Sequence, residues 1–274
     1  MWQGIIPAVT TKFTLDDQLD HAEMERCFAL MMEAGCHGLI ACGTLGEGNM
    51  LDHDERLAVL ARAKAATGNK PALLTISEPG TREACALAAR AAKAGADGLM
   101  IVPSPLYHTN PRETVANLRA IASAGDLPVM IYSNRVGYRV DVTPDIMEEL
   151  ADDARFVAIK ESSDDIRRTT EIFNQLGNRY NVLTGVDNLG LEALLMGAVG
   201  WVAGLVVAFP RENVAIWNLV QAGRIDEAKS YIEGLADVHV DNAEVQSVAG
   251  AVNMMAGDLD LAREYTRKAA ALGP

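Results

Sequence analysis

A regular alternation of short apolar runs with helix-like segments constrains this chain more than any other feature. Eight pairs follow one another between residues 5 and 220. The predicted strands are residues 5–9, 38–42, 72–76, 98–102, 128–132, 156–160, 181–184 and 200–203. The predicted helices are residues 20–33, 52–66, 81–94, 111–123, 143–151, 164–176, 187–196 and 210–220. Strands that alternate with helices are typical of a parallel sheet built from β/α units.

A related phrase recurs at residues 34–40, 94–100 and 196–202, where a helix leads into a strand. Its first glycine suits a helix C-cap and its second begins the strand, which is the loop chemistry of repeated β/α units. Eight such units favour a closed (β/α)₈ TIM barrel. A doubly wound open sheet is the alternative, and it is weakened because no GxGxxG follows the first strand.

The chain is long enough for one large domain: it has 274 residues, of which 49% are hydrophobic. We expect the barrel to cover residues 1–223 and carry the active site. Residues 224–274 form a predicted C-terminal helical extension, with helices at 225–234, 243–256 and 259–272. We interpret these helices as packing beside the barrel; a separate recognition module is the less favoured interpretation.

Composition and charge exclude several classes of partner. The formal net charge is −13, with 37 acidic and 24 basic residues, so the chain lacks the basic patch of a nucleic-acid-binding protein. No stretch approaches eighteen uninterrupted apolar residues, so no membrane span is expected. The four cysteines form no CxxC pair, which favours a reducing compartment, and we predict a cytoplasmic protein. The five histidines show no ligand spacing, so no metal site is predicted.

Lys160 is the strongest candidate for a reactive residue. It directly follows the apolar run of residues 156–159, which is typical of a buried parallel strand. Burial lowers the pKa of an amine, and the neutral amine is a nucleophile toward carbonyl groups. We therefore predict a Schiff-base lysine. The alternative is that the strand simply ends there and the lysine extends its charged end to solvent.

Tyr132 is the predicted partner of Lys160. It ends the strand before that of Lys160 and shares a face with Pro128 and Met130. In a barrel, catalytic groups lie at the carboxyl ends of the strands, so both side chains can point into one mouth. A phenol held in a dry pocket can shuttle protons during imine formation. A tyrosine at a strand end can equally be an amphipathic core residue.

The segment Gly43-Thr44-Leu45-Gly46-Glu47 follows the second predicted strand and contains two glycines. Successive backbone N–H groups of such a turn can bind a carboxylate, although a tight loop with Thr44 as a local cap explains it equally well. Arg135 and Arg139 are candidate contacts for a second anionic group. Gly185 and Ala203 lie at or beside later strand ends and are predicted to line the substrate site.

These motifs, in this order, resemble the dihydrodipicolinate synthase and N-acetylneuraminate lyase family of class I aldolase-type barrels. The resemblance covers residues 3–225 and includes the Gly43–Glu47 segment, Tyr132, Ile159-Lys160-Glu161 and Gly185-Val186-Asp187. It implies that Lys160 forms the imine and that Tyr132 relays protons. Thr44 and Tyr107 would complete the relay, with Tyr107 reaching into a neighbouring subunit of a homodimer or homotetramer. The backbone of Thr44 and Leu45 would hold the carboxylate of a 2-oxo acid, and no metal or external cofactor is needed.

Three departures from the family pattern bear on the substrate. Leu45 replaces a second threonine, and the segment after Tyr132 reads Ser133-Asn134-Arg135 where the family has Asn-x-Pro. The arginine that lysine-biosynthetic members place a few residues later falls near Gly137 and Tyr138. Residues 159–165 and the Gly43–Glu47 variant resemble catabolic members, so we expect elimination of water or ammonia from a 2-oxo-3-deoxy sugar acid or a hydroxy-pyrroline carboxylate. The alternatives are a pyruvate-dependent aldolase or condensing enzyme and, less favoured, a non-catalytic homologue that binds an oxo acid.

Overall fold

The computed structural model describes residues 2–202 and 204–273. Its sheet contains eight parallel strands in the order β1-β8-β7-β6-β5-β4-β3-β2. The strands are β1 Gly4–Ile5, β2 Leu39–Ala41, β3 Ala72–Ile76, β4 Gly98–Ile101, β5 Val129–Ser133, β6 Phe156–Glu161, β7 Asn181–Thr184 and β8 Gly200–Trp201.

The helices that follow the first six strands are α1 His21–Glu33, α2 His53–Thr67, α3 Thr81–Lys93, α4 Pro111–Gly125, α5 Arg135–Tyr138, α6 Pro144–Leu150 and α7 Arg167–Leu176. The later helices are α8 Gly190–Leu195, α9 Leu205–Ala208, α10 Pro210–Gln221, α11 Ile225–Val238, α12 Ala243–Ala256 and α13 Leu259–Leu272. Three of the longer barrel helices, α1, α2 and α4, begin at polar side-chain caps. Asp52 and Asn110, for example, each form a reciprocal capping box with a glutamate three residues later.

The sheet closes on itself between the first two units. Ala8 and Ile40 form a parallel bridge. The Val9 N–H donates to the Ile40 carbonyl at 2.9 Å, and the Ile40 N–H donates to the Pro7 carbonyl at the same distance. The ends of the eight-stranded sheet are thereby joined, which confirms the predicted (β/α)₈ TIM barrel with additional C-terminal helices.

Two apolar clusters form the core. The barrel interior is filled by twelve buried residues: Trp2, Ile6, Ala8, Ile40, Leu73, Met100, Val102, Met130, Tyr132, Ala158, Leu183 and Val202. A larger cluster lies between the strands and the surrounding helices. This separation follows from the period-two alternation of side chains along each strand. The interior face therefore leads from packed apolar layers directly to the strand ends that carry Tyr132 and Lys160.

Several observed elements differ from the predicted ones near the strand ends. The predicted strand 5–9 is ordered as a strand only over Gly4–Ile5 and continues as the bridge at Ala8, because Pro7 has no N–H to donate to a neighbour. The predicted helix 187–196 divides into a 3₁₀ turn at Asp187–Leu189 and α8. The short helices α5 and α9 follow β5 and β8, where the sequence pattern predicts no helix.

The three C-terminal helices occupy almost the predicted positions. α12 packs against α11 and α13 and also against the 3₁₀ turn that follows β7. The buried Gln246 amide donates to the Ala236 carbonyl at 2.6 Å, which ties α12 to α11. The boundary between a barrel of residues 1–223 and an extension of residues 224–274 stays a prediction. Throughout residues 2–202 and 204–273, no helix has both the length and the apolar character that crossing a membrane requires.

Candidate active site

Lys160 lies near the end of β6 with its side chain in the barrel mouth. The residue is only 6% exposed. This burial lowers the pKa of the Lys160 ammonium to about 8, and the nearby negative charge of Asp187 partly opposes the shift. A substantial fraction of the amine is therefore neutral near physiological pH, as a nucleophile that attacks a carbonyl carbon requires.

Tyr132 faces Lys160 from the adjacent strand, as the sequence predicts. The two residues are register partners in the β5–β6 pair, and the Lys160 Nζ lies 4.1 Å from the centroid of the Tyr132 ring. The Tyr132 phenol oxygen accepts a hydrogen bond from Asn134 Nδ2 at 3.1 Å. Burial raises the pKa of Tyr132, so its hydroxyl stays protonated and can donate a proton beside the amine.

A cavity of about 420 Å³ opens around these two side chains. The residues that line it are Ala8, Gly43, Thr44, Leu45, Met100, Tyr132, Lys160, Gly185 and Gly204. Gly185 is required for space, because a Cβ atom there would lie 2.6 Å from Lys160 Cε and would also collide with the Ser162 hydroxyl. The cavity is large enough for a small organic acid and is lined mostly by apolar surface.

The turn after β2 lines this cavity with Gly43, Thr44 and Leu45. The Gly48 N–H donates to the Gly43 carbonyl at 3.1 Å, and the Thr11 hydroxyl donates to the Gly46 carbonyl at 2.6 Å. These bonds fix the turn while the N–H groups of Thr44 and Leu45 donate to no other described residue. Both lining residues therefore keep donors available for an anionic group, consistent with the predicted carboxylate contact.

Two predicted site residues, Tyr107 and Arg135, do not line the cavity. Tyr107 is 66% exposed on the loop after β4 and does not line the cavity of its own chain. The Arg135 guanidinium donates to the Ser163 carbonyl at 3.3 Å, away from the cavity lining. Ala203 lies outside the described residues. The homodimer or homotetramer expected from the role of Tyr107 stays a prediction.

Asp187 belongs to the Gly-Val-Asp motif, but the sequence pattern assigns it no role. Its carboxylate accepts hydrogen bonds from Trp201 Nε1 and from the Leu205 N–H, both at 3.1 Å. Burial raises the pKa of Asp187 to about 6, although these bonds and the Lys160 charge act in the opposite direction. Asp187 thus links the ends of β7 and β8 behind Lys160 and influences the charge of the amine.

Tyr138 and Asn134 are further residues at the site that the motifs do not identify. The Tyr138 hydroxyl is hydrogen-bonded to the Thr44 hydroxyl, and Asn134 contacts the Tyr132 phenol. Both lie on or beside α5. A tyrosine six residues after the strand-end Tyr132 is the one signal in the sequence, but its position depends on a turn that the hydrophobic pattern does not reveal. Within the described chain, no group of three or more His, Cys, Asp or Glu residues could hold a metal ion.

Comparison with known proteins places the chain in a family. The model of the dihydrodipicolinate synthetase family matches residues 1–271, so the match continues through the C-terminal helices, beyond residues 3–225. The 4-hydroxy-tetrahydrodipicolinate synthase of Pelobacter propionicus is 31% identical over 231 residues, which cover 84% of this chain and 79% of that protein. The enzyme of the same name from Natronomonas pharaonis is 31% identical over 239 residues, covering 86% and 80%.

Solved structures share the barrel fold. The dihydrodipicolinate synthase of Aquifex aeolicus superposes with a TM-score of 0.81 at 26% identity, covering 99% of this chain and 97% of that one. YagE, a prophage protein of the dihydrodipicolinic acid synthase family from E. coli K12 in complex with pyruvate, has the same TM-score at 23% identity, covering 99% of both chains. This chain belongs to the dihydrodipicolinate synthetase family and is an enzyme of the class I aldolase-type lyases.

Proposed function

We propose that this enzyme is a pyruvate-dependent aldolase or condensing enzyme that works through an imine on Lys160. The observation that carries the proposal is the buried amine of Lys160, held beside the Tyr132 ring in a cavity of small-molecule size. Relatives that are about one-third identical are named as synthases. A structural neighbour is described in complex with pyruvate. These comparisons support pyruvate as the donor substrate.

The side chains at the site can be assigned to the steps of such a reaction. The N–H groups of Thr44 and Leu45 bind the pyruvate carboxylate, and the neutral Lys160 amine attacks C2 to form a carbinolamine. Tyr132 donates a proton to the departing hydroxyl, which leaves as water and produces the protonated imine. The Tyr132 phenolate then removes a proton from C3. The resulting enamine attacks an aldehyde carbonyl carbon, and the aldehyde oxygen takes up the proton from Tyr132 to become a hydroxyl. Hydrolysis of the product imine releases the free amine.

The comparisons favour this interpretation over the expected elimination of water or ammonia. Both reactions begin from the same imine, so Lys160 and Tyr132 do not distinguish them. The names of the sequence relatives support the condensing alternative, whereas no comparison supports the dehydratase or deaminase. The non-catalytic alternative loses its basis because the chain belongs to an enzyme family.

Exchange of the pyruvate methyl protons with solvent tests for the pyruvate enamine that condensation requires. In D₂O, an enzyme that forms the enamine of pyruvate replaces the methyl hydrogens by deuterium, and proton NMR follows the loss of the methyl signal. We expect exchange that depends on enzyme concentration. Absence of exchange, together with loss of water from a 2-oxo-3-deoxy sugar acid, would establish the elimination instead.

The pKa of Lys160 predicts a specific pH dependence. Because only the neutral amine attacks, and because burial lowers the pKa to about 8, the second-order rate of imine formation should rise about tenfold per pH unit below pH 8. Above that pH the rate should level off. Stopped-flow measurement with pyruvate in buffers of constant ionic strength gives the profile. A rate that continues to rise to pH 10 would show that the attacking amine has an ordinary lysine pKa.

A further inference from the structure

Tyr138 occupies the edge of the active-site cavity through contacts with two of its lining residues. Its hydroxyl is hydrogen-bonded to the Thr44 hydroxyl. Its ring meets the Tyr132 ring edge to face, with centroids 5.7 Å apart and an interplanar angle of 84°. Tyr138 also packs against the apolar cluster of the barrel interior. The side chain is therefore part of the site although it lies on a short loop helix.

Asn134 fixes the position of the Tyr138 backbone. Asn134 Oδ1 accepts the Gly137 N–H at 2.8 Å, which caps α5. The same amide donates through Nδ2 to the Tyr132 phenol at 3.1 Å. The Asn134 side chain thus connects the turn that carries Tyr138 to the Tyr132 phenol beside Lys160. The position of Tyr138 is therefore fixed relative to the catalytic phenol as well as within its own loop.

The charges around the cavity are unfavourable for a second carboxylate. Lys160 is the one charged side chain among the described residues that line the cavity. In the proposed reaction its amine forms the imine with pyruvate, so it does not pair with a second carboxylate. The Arg135 guanidinium lies 3.8 Å from both Asp141 and Asp165 and donates to the Ser163 carbonyl. Arg139 is exposed beyond the end of α5.

The cavity lining beside Gly204 is apolar, and two acidic residues, Asp187 and Glu244, lie behind it. A Cβ atom on Gly204 would lie 3.6 Å from Leu45 Cδ2 and 3.9 Å from Asp187 Oδ2. Glu244 lies close enough to Asp187 that its charge favours the protonated form of that carboxyl group. A substrate carboxylate placed here would lose water without gaining a cationic partner, which is strongly unfavourable.

We propose that Tyr138 is the specificity-determining residue for the second substrate and selects an uncharged aldehyde over a carboxylated one. This inference rests on the proposed function. The Tyr138 hydroxyl, paired with Thr44, offers a neutral hydrogen-bonding group at the cavity edge. A guanidinium in the same place would bind a carboxylate through two parallel hydrogen bonds. The aldehyde that reacts with the enamine should therefore be an aliphatic or hydroxylated aldehyde.

Two aldehydes of equal chain length test this preference. Butanal and 4-oxobutanoate both contain four carbons and differ in carrying a methyl or a carboxylate group at the far end. With pyruvate as donor, kcat/KM of the wild-type enzyme should be at least about tenfold higher for butanal. A preference for 4-oxobutanoate would overturn the inference.

Substitutions at the two adjacent positions test the assignment to Tyr138. Tyr138→Arg should shift the ratio of kcat/KM values toward 4-oxobutanoate by at least about tenfold. Arg139→Ala is the matched control and should leave the ratio unchanged. Because the ratio does not depend on how much enzyme is folded, partial misfolding of a variant does not affect it. An unchanged ratio in Tyr138→Arg, or a ratio altered only in Arg139→Ala, would contradict the assignment.

The pyruvate exchange reaction distinguishes failure of this inference from failure of the proposed function. Exchange of the methyl protons needs the enamine but no aldehyde. Wild-type enzyme that exchanges these protons and prefers 4-oxobutanoate would keep the proposed function and lose the inference. Wild-type enzyme that does not exchange them would lose both.

Discussion

Replacement of Lys160 by alanine is expected to reduce turnover by roughly 10⁴-fold or more while the barrel still folds. Without the amine, no imine and no enamine can form. The fold should survive because the substitution removes a buried ammonium that has no close ion-pair partner among the described residues and whose desolvation is unfavourable. Circular dichroism and thermal unfolding check the fold, and pyruvate exchange checks the chemistry.

Lys268→Ala is a suitable control for the Lys160 variant. Lys268 lies on α13 and forms an exposed ion pair with Glu264 at 2.8 Å, an interaction that contributes little to stability. The control should retain wild-type exchange and wild-type unfolding. If Lys160→Ala kept exchange within tenfold of the wild-type rate, another residue would have to supply the nucleophile.

The Tyr132→Phe substitution should lower kcat by roughly 10²- to 10⁴-fold. It removes the phenol that exchanges protons with the carbinolamine and with C3 of pyruvate. The ring, which is 8% exposed and packs against Tyr138, remains in place. Pyruvate should therefore still bind, so KM should change much less than kcat. Steady-state kinetics and the rate of methyl exchange measure these effects.

Tyr180→Phe provides the matched control for the loss of a buried phenol. The Tyr180 hydroxyl donates to the Met147 carbonyl at 2.7 Å, and the residue precedes β7 at the end of the barrel opposite the cavity. Its substitution should lower the free energy of unfolding by about 1 kcal/mol and leave kcat unchanged. Equal losses of kcat in both variants would assign the effect of Tyr132→Phe to the fold and not to proton transfer.

The barrel could be predicted because its determinants are local. Short apolar runs, amphipathic helices and glycine-containing αβ loops recur along the chain, and each can be identified without knowing its neighbours. The side of each strand that faces the interior follows from the alternation of side chains, and in a barrel with adjacent fifth and sixth strands it predicts that Tyr132 and Lys160 point into the same mouth. The register of β5 and β6 confirms that placement.

The conformations of the loops that determine substrate specificity could not be predicted in the same way. The α5 turn exists because the Asn134 side chain caps Gly137, and this cap brings Tyr138 to Thr44. Arg135 is a candidate anion contact by its charge and position, but the Ser163 carbonyl holds its guanidinium elsewhere. The Tyr138–Thr44 and Arg135–Ser163 contacts join residues distant in the sequence, and the hydrophobic pattern does not predict them.

The sequence motifs also do not decide between elimination and condensation. Lys160 and Tyr132 supply the imine for either reaction, so the residues that a motif identifies are shared by both. The outcome depends on whether the cavity positions an aldehyde against the enamine or a leaving group beside the imine. Those positions are set by the turn after β2 and by α5.

Reduction with borohydride in the presence of pyruvate tests the central claim most directly. Borohydride converts an imine into a stable secondary amine, so the intact mass should increase by one reduced pyruvate per chain. Peptide mapping should locate the added mass on Lys160, and Lys160→Ala should show no addition. An adduct on another lysine, or no adduct where a known imine-forming aldolase is labelled under the same conditions, would contradict the assignment of Lys160 as the nucleophile.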